Sequence, residues 1–77
     1  MGEIHFDICS GGKLDIGFVC RDGHFGDSLY MNMYDYLMRR FNLSHEQAEN
    51  AVSWCEMVGT VGDVYEEDDF SIEIWEE

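Results

Sequence analysis

Residues 3–9 (EIHFDIC) and 13–20 (KLDIGFVC) flank Ser10-Gly11-Gly12, and both runs alternate apolar with polar side chains. Ile4, Phe6 and Ile8 fall on one side of the first run, and Leu14, Ile16, Phe18 and Cys20 on one side of the second. A period of two is the mark of a half-buried strand, and glycines between two such runs supply a turn, so a β-hairpin is predicted. A two-residue loop at Gly11-Gly12 would set Asp7 opposite Ile16 and mix the faces. A three-residue loop instead pairs Ile8 with Leu14, Phe6 with Ile16 and Ile4 with Phe18, and that register is the expectation. It sets Asp7 and Asp15 directly opposite each other on the solvent face, roughly 5 Å apart at Cβ.

Beyond the turn-rich RDGHFG at 21–26, Asp27 or Ser28 is expected to cap a helix running to about Phe41. Tyr30, Met33, Tyr34, Leu37 and Phe41 share one face of it, and Asn32, Asp35 and Arg39 lie opposite. Met31 and Met38 flank the apolar stripe. Ser44 and Gln47 fit a capping box for a second helix reaching about Val58, with Leu43 placed as a hydrophobic staple. Its stripe is Ala48, Ala51, Val52, Cys55 and Val58, and Gly59 is the expected C-cap. TVGDVY is read as a short strand, and residues 70–75 as a last strand with Phe70, Ile72 and Ile74 inward and Ser71, Glu73 and Trp75 outward.

This order, β-β-α-α-β with one optional short strand, predicts an α+β fold over a single domain, residues 1–77. The economical packing is a three- to four-stranded antiparallel sheet with both helices on one face, leaving the other face wet. A chain this short buries only about 60% of the surface its unfolded form exposes, so its stability margin is thin.

Against this small core stand 17 acidic residues and only four bases, Lys13, Arg21, Arg39 and Arg40, for a net charge of -13. Such a surface repels nucleic acid and anionic membranes and attracts cationic proteins. The first residues show no basic segment followed by an apolar run, and no stretch approaches the roughly 18 apolar residues of a membrane span, so a cytoplasmic protein is expected. Three cysteines are an odd number, and free thiols suit that compartment better than a disulfide framework.

Catalytic and metal-binding signatures are weak. The Asp7–Asp15 pair has the composition of an acid/base couple, but an open sheet face supplies no water-excluding pocket. Cys9, Cys20, Cys55, His5, His24 and His45 do not fall in zinc-ligand spacing, the nearest being Cys20-x-x-x-His24. Glu66-Glu67-Asp68-Asp69 lacks the spaced ligands of a calcium loop, and neither glycine-rich segment has the spacing or the Lys of a phosphate cradle. No enzyme, cofactor or metal is expected from these patterns.

What stands out is where the acids fall. Alternation places Glu3, Asp7 and Asp15 on the open face, with Glu73 on the outward side of the last strand and Glu66 to Asp69, Glu76 and Glu77 at its ends. Same-face residues on a strand stand about 6.6 Å apart, giving an extended anionic wall. Asp7, Asp15, Glu66, Glu67, Asp68, Asp69 and Glu73 are therefore candidate charge contacts to a basic partner, with Trp75 as a candidate anchor. In size, acidity, element order and lack of a catalytic motif, the chain resembles the small acidic inhibitors of phages and mobile elements, the anti-CRISPR and anti-restriction proteins. The resemblance implies a competitive mechanism in which carboxylates replace phosphates against Lys and Arg of a nucleic-acid-binding bacterial protein. A different expectation, a homodimer or assembly protein, rests on Met31, Tyr34 and Met38 of the first helix.

Overall fold

A computed structural model describes residues 2–21 and 23–77. Strands β1 (Ile4–Ser10) and β2 (Lys13–Cys20) are followed by helices α1 (Asp27–Phe41) and α2 (His45–Met57), then by β3 (Val64–Glu66) and β4 (Ser71–Glu76). The four strands form one antiparallel sheet in the order β2-β1-β4-β3. The predicted α+β class is observed; the short strand expected over 60–65 is present as β3 at Val64–Glu66, with 60–63 outside it.

The hairpin register differs from the expected one. Gly11 and Gly12 both take positive φ, 58° and 78°, and Ser10 pairs with Lys13. Positive φ at both central residues belongs to the two-residue type I′ turn, whose twist matches that of the flanking strands. The faces still do not mix. Between Ile8 and Cys9 the partner jumps from Ile16 to Leu14, leaving Asp15 as an extra residue in a β-bulge. The bulge restores apolar pairing one step along, with Ile8 opposite Ile16, Phe6 opposite Phe18 and Ile4 opposite Cys20. Asp7 consequently faces Gly17 rather than Asp15, and Leu14, expected inward, is 62% exposed.

Helix α1 starts from Gly26, whose backbone is extended and which offers no side-chain cap; Asp27 is the first helical residue, and neither it nor Ser28 is the N-cap. Asp27 in the first turn and Arg39 and Arg40 in the last complement the helix dipole. Asn42 closes α1 in the left-handed region at φ 53°. Helix α2 carries the expected capping box: Ser44 Oγ accepts from the Gln47 N–H, and the Gln47 side chain accepts from the Ser44 N–H. Its apolar stripe stops at Cys55. Val58 lies at the C-cap with 65% exposure, outside the core.

One apolar cluster joins the helices to the inner sheet face, with Ile8, Met33, Leu37, Val52 and Ile72 fully buried at its centre. Small Ala48 and Ala51 bring α2 close, Phe41 stacks on Phe70 at 4.8 Å, and Tyr30 and Ser53 hydrogen-bond between the helices. Helix α1 contacts β2 and α2 contacts β3, so the pair spans the sheet and covers one face. Among the described residues, no helix is long and apolar enough to cross a membrane.

Candidate functional site: the uncovered sheet face

Because β1 and β4 alternate strictly, the residues between the buried positions all emerge on the face that no helix covers. Three cross-strand rows result. Val19, His5 and Trp75 form the first; Gly17, Asp7, Glu73 and Val64 the second; Leu14, Cys9, Ser71 and Glu66 the third. Asp7 and Glu73 are thus direct neighbours in the sheet centre, two carboxylates in a pairing where like charges repel.

The surrounding groups hold this pair in place. Trp75 Nε1–H donates to Asp7 Oδ2 at 2.8 Å, so the indole lies along the face instead of projecting from it. Its ring stacks on His5 at 4.0 Å between centroids and 12° between planes. His5 Nε2 in turn meets Glu77 Oε1 at 3.1 Å. Gly17 leaves room for the aspartate: a Cβ there would lie 3.0 Å from Asp7 Oδ1. Beside the pair, the Cys9 thiol is pushed above its ordinary value, first by desolvation and then by the carboxylates of Glu73 and Asp7. Cys9 is therefore a poor nucleophile here.

Of the eight residues singled out in the sequence, Asp7, Glu73, Trp75 and Glu66 share this face. Glu67, Asp68 and Asp69 lie in the β3–β4 loop at one end of it, and Glu67 turns toward the Tyr65 hydroxyl, which donates to it at 2.7 Å. A shallow concavity runs from this loop to the β1–β2 turn, with Lys13 among its lining residues. Asp15 is a correction. The bulge turns it to the helix side, where its carboxylate accepts from Ser10 Oγ, Tyr36 Oη and Arg40 Nε at 2.8–2.9 Å. Those donors hold its carboxyl below the ordinary range, Ser10 and Tyr36 first. It braces the fold and is not on the acidic face.

Sequence patterns set His5 aside for want of zinc-ligand spacing and placed Glu3 and Glu77 among the acids, but did not bring the three together. One ligand atom from each of the three lies within 4.8 Å of the others. The chain brings His5 to Glu77 across 72 positions through β1–β4 pairing, and no spacing rule spans that distance. The period-two alternation of both strands was the available signal. Arg21 pairs with Glu3 at the edge of the same face, at 3.2 Å. Comparison with protein-family models, curated proteins and solved structures finds no match to this chain.

Proposed function

We propose that this protein is a noncatalytic inhibitor that uses the uncovered sheet face to occupy the nucleic-acid site of a basic bacterial protein, a CRISPR effector or a restriction enzyme, in the cytoplasm. The observation that supports this most is the Asp7–Glu73 pair in the sheet centre, flanked by Glu66 and by an indole that is 41% exposed. A fold stabilised for its own sake would not set two carboxylates side by side there. A row of negative charge beside an aromatic plate suits a partner built to hold phosphates and stacked bases.

Two of the four bases are held away from the Asp7–Glu73 pair. Arg40 is tied to Asp15 on the helix side, and Arg21 is tied to Glu3 at the edge. The reading that makes helix α1 a dimer surface has less support: Tyr34 is hydrogen-bonded to His45 and Met38 packs on the core, leaving Met31, half exposed, as its apolar contact.

The test is DNA cleavage by purified CRISPR nucleases and restriction enzymes with increasing amounts of this protein. Stoichiometric inhibition of a susceptible enzyme is expected, weakening as salt rises because exposed charges are screened. Asp7→Asn, Glu73→Gln and Trp75→Ala should each relieve it. Inhibition untouched by all three substitutions would overturn the assignment to this face.

A further inference from the structure

We propose that Glu3, His5 and Glu77 form a binding site for a divalent transition-metal ion of the zinc class, with at least one position left open to water. The donor set is one imidazole and two carboxylates, all within 4.8 Å of one another. Zinc binds imidazole nitrogen and carboxylate oxygen at about 2.0–2.2 Å, which places donors on one ion about 3.0–3.5 Å apart. His5 Nε2 and Glu77 Oε1 already stand 3.1 Å apart. Movement of the Glu3 side chain alone completes the set, and its competing partner is Arg21, an exposed pair of the kind worth little.

Two features distinguish the cluster from a chance meeting of surface acids. The His5 ring is immobilised by its stack on Trp75, and its side chain is only 16% exposed, so Nε2 points at the carboxylates without loss of rotamer freedom. The backbones of Glu3 and Glu77 are clamped to each other, Glu77 N–H donating to Glu3 O at 3.1 Å. An imidazole in the set favours zinc, nickel or copper over magnesium and calcium, which take oxygen donors. Bound there, the ion would pin the end of β4 to the start of β1 and put a cation at the border of the acidic face.

The test is a Zn²⁺ titration of the unmodified protein followed by NMR of the histidine rings. His5 resonances are expected to shift saturably at one equivalent, with His24 and His45 unmoved. A Trp54→Phe variant leaves Trp75 as the sole indole, and Cu²⁺ should quench it through the stacked His5, with the quenching relieved only by a large excess of Zn²⁺ because copper binds such donors more tightly. Glu77→Gln and His5→Ala should each weaken Zn²⁺ binding by about tenfold or more, since losing even an outer-shell partner of a metal costs 10–100-fold. Unsaturable shifts, shifts centred on His45 with Glu49, equal competition by Mg²⁺, or affinity unchanged in Glu77→Gln would each overturn the site.

Discussion

The Tyr36 hydroxyl on α1 donates to Asp15 Oδ2 at 2.9 Å, fastening the first helix to the bulge of the β1–β2 hairpin. Arg40 Nε reaches the same oxygen and Ser10 Oγ the other, so one carboxylate in the bulge ties the end of β1 to helix α1. Asp15→Asn removes the charge and leaves two of three donors facing a weaker acceptor. The linkage has a definite sign. The folded carboxyl lies below its ordinary value of 3.8, so the stability it contributes is present above that pH and is lost as the pH falls through the lower, folded value. Urea unfolding at pH 7 should show Asp15→Asn clearly less stable than the parent. The gap should narrow as pH drops below about 4, where the unfolded aspartate takes up its proton.

Gly59 marks a second point where sequence alone misleads. It follows α2 where a left-handed C-cap glycine is commonplace, yet the cap is Val58 and Gly59 is not among the positive-φ glycines. Space is the reason for glycine. A Cβ at this position would lie 2.6 Å from Ile74 Cδ1 and 2.7 Å from Trp54 Cζ3. Gly59→Ala should therefore push Trp54 or β4 outward and destabilise by about 1–3 kcal/mol, the usual range for overpacking. Denaturant midpoints measure this; an alanine that left the midpoint unchanged would mean the indole yields freely.

Periodicity made most of the fold legible and failed where one residue breaks the period. Alternation in β1 and β4 identified Phe6, Ile8, Ile72 and Ile74 as inward, and the Ser44–Gln47 box located the start of α2 to the residue. The bulge could not be read, because Leu14 and Asp15 look like any alternating pair and the choice of loop length assumed unbroken pairing. That one irregularity moved Asp15 from the acidic face to the helices and replaced a supposed Asp7–Asp15 pair with Asp7–Glu73. The latter depends on which strand lies beside β1, a matter of topology. The same is true of His5 and Glu77.

Alkaline stability follows from two groups on the helix side of the sheet. Burial pushes the Cys55 thiol up to about 12 from an ordinary 9.0, and burial together with the hydrogen bond to Glu67 pushes Tyr65 up to about 12 from 10.0. Both stay protonated in the folded chain while the unfolded chain ionises, so stability is intact below pH 9.0 and falls progressively as the pH rises toward 12. Cys55→Ala should flatten the start of this decline, at the expense of a small cavity. Thiol chemistry reports on the same burial: at pH 8, iodoacetamide should leave Cys55 unmodified in the folded protein and label it promptly in denaturant.

Glu73 should oppose stability and function to each other. It stands directly across from Asp7 in the sheet, and like charges in such a pair are destabilising by about 0.2–1 kcal/mol. Glu73→Gln keeps the shape and removes the repulsion, so the protein should become slightly more stable at low salt. The gain should disappear in about 1 M salt, where the screening length falls to roughly 3 Å. If the acidic face engages a basic partner, the same substitution should weaken that complex, mainly through slower association, since charge on an exposed face steers encounter more than it holds the bound state. Paired measurements on one variant, thermal unfolding at two salt concentrations and association kinetics with an inhibited nuclease, separate this from a charge kept only for solubility. A merely solubilising glutamate would leave the association rate unchanged while the stability gain remained.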